Sequence, residues 1–165
     1  MALAQDTETM ESILSGGCLC GAVRYEIIEE PITLYACHCP DCQTASGSSF
    51  VLAMQVPINA IRITKGNLKP YKRSRSDGRK KNIIRCPQCL SAIYSAAFES
   101  PQYFTLYAGT LDNSGSLQPV GHMWVCNAQP WIKIPEGALI FEKDPPDMHL
   151  FEEAWKERAT KNVLC

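Results

Sequence analysis

This chain has no apolar run long enough to cross a bilayer. Phe50-Val51-Leu52-Ala53-Met54, among its longest, falls far short of the roughly 20 residues a spanning helix needs. It also has no excess charge of either sign. Sixteen Lys and Arg stand against 17 Asp and Glu, a net −1, so no global field invites nucleic acid or a membrane surface. The opening MALAQDTETMESILSGG carries acids and lacks the apolar core of a secretory signal. Aromatics are sparse at 8%, and neither internal repeats nor low-complexity tracts occur. The expectation is a cytoplasmic protein in a reducing compartment, without nucleic-acid or membrane partners and compatible with a homo-oligomer. At 165 residues it is long enough to bury a core without covalent staples.

Cysteine is abundant. There are nine, an odd number that cannot pair fully, and seven fall in three clusters. These are Cys18-Leu-Cys20, Cys37-His-Cys39-Pro-Asp-Cys42 and Cys86-Pro-Gln-Cys89. In a reducing compartment such clusters read as metal ligands before disulfides. Residues i and i+2 of an extended segment point to one side, so Cys18 and Cys20 can face one ion. A C-x-x-C turn likewise brings two sulfurs together. Zinc takes thiolates at about 2.3 Å in a tetrahedron; structural sites use four and close, whereas catalytic sites keep three and leave a position open. Seven ligands divide naturally as Cys18, Cys20, Cys86 and Cys89 in a closed site, and Cys37, Cys39 and Cys42 in an open one. Other groupings are not forbidden by spacing. His38 points away from Cys37 and Cys39 in an extended segment. Cys126 reads as a small buried hydrophobe, and Cys165 as an exposed thiol near a chain end.

From Gly16 onward the pattern is one of short strands. Val23, Tyr25 and Ile27 alternate with Arg24 and Glu26. Further strands are expected at 34–37, 50–56, 61–64, 81–85, 92–98, 103–107, 122–125 and 131–134. Turns at Lys65-Gly66-Asn67, Ser76-Asp77-Gly78 and Asn113-Ser114-Gly115 separate them. A short helix is expected over Pro40–Ala45, with Pro40 at its first position. A second is expected from Asp147, placing Met148, Phe151, Trp155 and Ala159 on one face. The expected organisation is a flexible tail over 1–14, a zinc-binding β domain over 15–140 and a helical extension over 141–165. Residues 69–81 carry +6 in thirteen positions. That run reads as a solvated hairpin around Asp77-Gly78, with attraction for an anionic ligand as the functional alternative.

The ordered triple of cysteine clusters, within Gly17-Cys18-Leu19-Cys20-Gly21-Ala22-Val23-Arg24-Tyr25, Cys37-His38-Cys39-Pro40-Asp41-Cys42 and Cys86-Pro87-Gln88-Cys89, resembles the glutathione-dependent formaldehyde-activating enzyme family. So do Ser46-Gly47-Ser48-Ser49-Phe50, Gly109-Thr110-Leu111-Asp112, His122-Met123-Trp124 and Pro130-Trp131. The resemblance covers roughly residues 16–135. It implies an all-β, mostly antiparallel fold of the β-tent kind built around two zinc ions, one held by four cysteines and one by three. It also implies carbon–sulfur lyase chemistry on a glutathione adduct of formaldehyde or another small aldehyde. Cys37, Cys39 and Cys42 would then be the catalytic ligands. Ser46, Ser48 and Ser49, with the backbone near Gly47, could donate hydrogen bonds to a carbonyl oxygen or a carboxylate, with a plain polar turn as the alternative. His122 reads as a structural histidine, with an acid or base as the alternative, and Trp124 and Trp131 read as core. A non-catalytic zinc module that binds glutathione or a protein partner is the alternative, and an iron–thiolate electron carrier the third reading. Where the family usually has Gly after the last cysteine this chain has Leu90, which predicts a differently shaped turn.

Overall fold

The computed structural model describes residues 14–97 and 101–163. The alternation at Val23, Tyr25 and Ile27 does what its period implies: all three are at most 1% exposed. Val23 leads into β2 (Arg24–Ile27), which carries Tyr25 and Ile27 and is the middle strand of a three-stranded antiparallel sheet with β1 (Leu14–Gly17) and β5 (Ile61–Lys65). This sheet packs on one face of a much larger one. Leu34, Met54, Val56, Ile93, Phe104 and Leu106 meet it from the opposing strands and form the main core with it.

The large sheet has eight strands. Its antiparallel part runs β3 (Thr33–Cys37), β4 (Val51–Pro57), β9 (Tyr103–Tyr107), β8 (Ala92–Ala97), β7 (Lys80–Arg85) and β6 (Lys69–Ser74). Beyond β3, β10 (Gly121–Met123) and then β11 (Leu139–Phe141) are added in parallel. The fold is therefore all-β and mostly antiparallel, with α1 (Pro40–Ser46) between β3 and β4 and α2 (His149–Val163) at the C-terminal end. No helix among the described residues is long and apolar enough to cross a membrane.

The second face of the large sheet carries a smaller core and α2. Phe151, fully buried, stacks on Tyr35 with ring centroids 5.0 Å apart and meets Phe141 edge-on at 5.3 Å. Thr33 Oγ1 donates to the Phe151 carbonyl at 2.9 Å. Gly121 makes this docking close: a Cβ there would lie 2.4 Å from the Phe151 ring and 2.8 Å from the Leu139 carbonyl. The C-terminal segment thus contributes a strand and an anchor to the sheet, and the boundary drawn at 140 falls inside β11.

Several expectations need correction. No strand forms at 131–134; Trp131 sits in a turn and is 68% exposed. Trp155 packs against both cores in its place. Residue 14, assigned to the tail, already belongs to β1. Besides β1, two further strands escaped the pattern. β6 is exposed on nearly every residue and so shows no alternation, and β11 is only three residues long. Phe98, Cys165 and the side chain of Ala159 lie outside the described residues.

Candidate metal centres and the cationic cavity

Tyr25 begins the construction of the first centre. Its hydroxyl hydrogen-bonds the Thr110 hydroxyl at 2.7 Å, and Gly16 packs against it with no room for a side chain. Arg24 is paired with Asp112 through both guanidinium nitrogens. The Gly109–Asp112 stretch therefore ties the small sheet to the large one. Beside it the chain turns from Cys18 to Val23, whose N–H donates to Cys18 Sγ at 3.2 Å. The β7–β8 turn arrives from 66 residues away and brings Cys86 and Cys89 to the same place. The four sulfurs lie within 4.8 Å of one another. Cys18–Cys20 is 3.5 Å and Cys20–Cys86 is 3.9 Å. A tetrahedron of thiolates about 2.3 Å from zinc has edges of about 3.8 Å, so these residues fit such an ion.

The β7–β8 turn also decides the question about Leu90. Its φ is +60°, the left-handed conformation that glycine adopts freely, and its N–H donates to the Cys86 carbonyl at 3.0 Å. Leu90 therefore takes up the positive φ that a glycine would ease, at a strain of about 1–2 kcal/mol. Cys89 Sγ lies 3.1 Å from the Ser91 hydroxyl, which is the main reason its thiol falls to about 5.

Cys37, Cys39 and Cys42 converge because a strand runs directly into a helix. Cys37 ends β3 opposite Val51. Cys39 is the N-cap of α1, its sulfur accepting from the Cys42 N–H at 3.4 Å, and Pro40 starts the helix. One turn then returns Cys42 to the other two, all within 4.8 Å. Cys37 and Cys39 are buried and Cys42 is partly open. Hydrogen bonds from Cys37 and Cys42 pull Cys39 down to about 2, while those with Cys39 and Cys42 push Cys37 up. For Cys42 the bond with Cys37 lowers the thiol, but Cys39 and burial outweigh it and leave it at about 11. Without an ion the trio favours a single negative charge. The trio is one ligand short of a closed tetrahedron, which fits a metal with an open position.

Cys37 and Cys42 border a cavity of about 330 Å³ on the second face of the large sheet. Cross-strand register explains its lining. Tyr35 pairs Ala53, Ala53 pairs Tyr107, Gln55 pairs Thr105, Thr105 pairs Ser95, and Ser95 pairs Ile83. The far wall is the β6–β7 hairpin, which presents Arg73, Arg75, Arg79 and Lys81. Trp124, at φ +59°, closes one side and donates its indole N–H to Asp144 at 2.8 Å. The basic run is thus a largely solvated hairpin, as expected, and four of its cations also form the wall beside the three cysteines. The charge density was visible in the sequence; what it faced was not.

The other candidate residues lie elsewhere. Ser46 Oγ donates to the Cys42 carbonyl at 2.8 Å, Gly47 is the left-handed C-cap of α1, and the Ser48 N–H donates to Ser46 Oγ. None of the three lines the cavity. Ser46 and Gly47 finish the helix that carries Cys42. His38 points away from the cysteines, as expected, and its Nε2 lies 2.9 Å from His122 Nδ1 in a buried pair. Burial, then the His38 charge, holds His122 down at about 4, so the pair is neutral. Gln43 fastens α1 by donating to the carbonyls of His38 and Asn127. Cys126 is exposed, against the expectation of burial.

Comparison with known proteins adds three findings. The family model described as glutathione-dependent formaldehyde-activating enzyme matches residues 13–127. A Halomonas elongata protein that carries the provisional name of a glutathione-dependent formaldehyde-activating enzyme is 24% identical over 127 residues, 74% of this chain and 81% of that protein. A crystal structure of a Rhodobacter sphaeroides protein is similar over 60% of this chain and 88% of its own, at 20% identity and a TM-score of 0.46.

Proposed function

Because this chain belongs to the glutathione-dependent formaldehyde-activating enzyme family, we propose that it joins glutathione to formaldehyde, and cleaves the adduct, in the cavity beside Cys37, Cys39 and Cys42. The observation that carries the reading is the juxtaposition of three thiols with an arginine- and lysine-lined cavity of about 330 Å³. Cys18, Cys20, Cys86 and Cys89 would hold a structural zinc, and Cys37, Cys39 and Cys42 a second one. Zinc held by three thiolates would supply a soft Lewis acid that keeps a substrate sulfur ionised at neutral pH.

The chain's own groups do the rest. In the forward direction the thiol gives up its proton to solvent, its sulfur bonds to the formaldehyde carbon, and the carbonyl oxygen takes up a proton. The adduct S-hydroxymethylglutathione contains every atom of both reactants, and the reverse reaction breaks the same C–S bond. Tyr107 and Arg73 line the cavity with Cys42 and offer donors to the developing oxyanion. Burial holds the Tyr107 hydroxyl above its ordinary range, so it stays protonated and able to donate. The cationic wall attracts a substrate with carboxylates and keeps it beside the sulfurs long enough to react. Trp124 and Met148 exclude water from one flank.

The test is turnover of the adduct above its spontaneous rate by zinc-loaded protein. The expected result is two zinc ions per chain in the wild type, one in Cys39→Ser, and loss of turnover in Cys39→Ser with the far-ultraviolet circular dichroism kept. Full turnover by the folded Cys39→Ser protein overturns the proposal.

A further inference from the structure

The four hairpin cations that line the cavity are not equivalent. Arg73 donates to the Asp41 carbonyl. Arg75 lies 3.7 Å from Asp41 and 3.3 Å from Asp77. Arg79 is paired with Asp77 at 2.6 Å and sits 4.0 Å from Asp144. Among the described residues, no carboxylate or hydrogen-bond acceptor meets Lys81. The groups that would favour its charge are the sulfurs of Cys42 and Cys37 when these are ionised as metal ligands. Its neighbours make matters worse. Lys81 pairs directly with Arg73 across the strands, a like-charge opposition that destabilises a sheet. A half-buried ammonium with cations beside it and no partner among the described residues detracts from folding, which points to a partner from outside the chain.

Lys81 also occupies a particular place. The cavity at Cys42 opens into a second groove of about 650 Å³ that runs over β7, β8 and β9. Arg79, Lys81, Ser95, Tyr103 and Thr105 line both spaces. Lys81 therefore stands at the junction between the space that holds the sulfurs and the space that leads away from them.

We infer that Lys81 is the specificity-determining anchor for a carboxylate of the thiol substrate, with the remainder of that substrate extending into the second groove. The inference rests on the reading that a thiol reacts beside Cys37, Cys39 and Cys42, and it deepens that reading. It assigns the substrate class as an extended thiol whose negative charge lies several bonds from its sulfur.

Calorimetric binding to the zinc-loaded full chain tests this with three probes: glutathione, S-methylglutathione, and glutathione with both carboxylates esterified. S-methylglutathione keeps the carboxylates but cannot ionise at sulfur, so it isolates the anchor from the thiol. A lost charge-assisted hydrogen bond weakens binding by about tenfold to a hundredfold. The expected result is a loss of that size for glutathione and S-methylglutathione in Lys81→Met, recovery in Lys81→Arg, and equal affinity of both variants and the wild type for the diester. Unchanged binding of S-methylglutathione by Lys81→Met overturns the anchor. Equal binding of glutathione and S-methylglutathione by the wild type overturns the thiol reading while the Lys81 contrast still supports or refutes the anchor. Binding of neither overturns both. If Lys81→Met loses zinc or its circular dichroism, the wild type decides: equal affinity for glutathione and its diester overturns the anchor.

Discussion

Removing one cysteine from each cluster should have very different consequences for stability. Cys20 and Cys86 are 66 residues apart, so a metal that joins them restrains the unfolded chain much as a cross-link over that loop would. The chain-entropy relation for such a cross-link gives about 4 kcal/mol. The segment from Cys37 to Cys42 closes a loop of only about five residues, for which the same relation gives about 2 kcal/mol. A domain of this size shifts its melting temperature by about 3 °C per kcal/mol. Cys86→Ser should therefore lower Tm by about 12 °C and Cys39→Ser by about half as much. Differential scanning calorimetry of the zinc-loaded proteins, with zinc counted per chain, measures both. Each variant should retain one zinc. Equal shifts, or a larger one in Cys39→Ser, would refute the assignment of the four-cysteine cluster as the clamp between the early turn and the β7–β8 turn.

Other perturbations separate the remaining parts. Glutathione binding to the zinc-loaded protein should release close to one proton at neutral pH, read from calorimetry in buffers of different ionisation enthalpy; zero release would contradict an ionised sulfur. His122 is held at about 4 in the folded chain, below the unfolded value of about 6.5, so the unfolded chain takes the proton first. Stability should therefore fall as pH drops below about 6.5, by about 2 kcal/mol between pH 7 and pH 5. Urea midpoints between pH 7 and pH 5 should fall less in His122→Gln than in the wild type, and parallel curves would count against the buried neutral pair. Phe151→Ala removes a fully buried ring that stacks on Tyr35 and should destabilise by about 3–5 kcal/mol, measured by urea denaturation. A change below 1 kcal/mol would mean that α2 is not part of the core.

The cysteines were the most legible part of this sequence, because a ligand cluster is written in local spacing. Cys18 with Cys20, Cys37 with Cys39 and Cys42, and Cys86 with Cys89 each needed only a few residues of chain to be seen. The strand at Val23–Ile27 was legible for the same reason, since its alternation reflects one buried face. What escaped depends on distance along the chain. His122 meets His38 across 84 residues, and nothing near either residue announces the other. Trp131 looked like core on hydrophobicity alone, yet Trp155 took that place because α2 docks on β3. The basic run was visible as charge, but its direction depends on the β6–β7 register and on which face of an eight-stranded sheet remains uncovered. Ser46 and Gly47 drew notice as polar neighbours of Cys42, whereas their local duty is to end its helix.

The cationic hairpin lies at the extreme edge of the large sheet, and β6 has a strand on one side only. That position makes it the most replaceable part of the architecture. Its exposed Lys69 and Lys80 can change without disturbing the His38–His122 pair or the contact between the two sheets, whereas Arg73, Arg75 and Ser76 are fastened to Asp41 inside the Cys37–Cys42 cluster and must be kept. Diversification of substrate choice would therefore run through residues 69–81 while the metal-binding frame stays constant. An engineered hairpin grafted onto this frame is the natural route to a different thiol. The graft must keep the safeguards of an open edge: Pro70 withholds one N–H from any added strand, and Lys69, Lys72 and Arg73 discourage a second chain from pairing there. Neutralising the hairpin would widen the range of thiols and, in the same step, expose a template for aggregation.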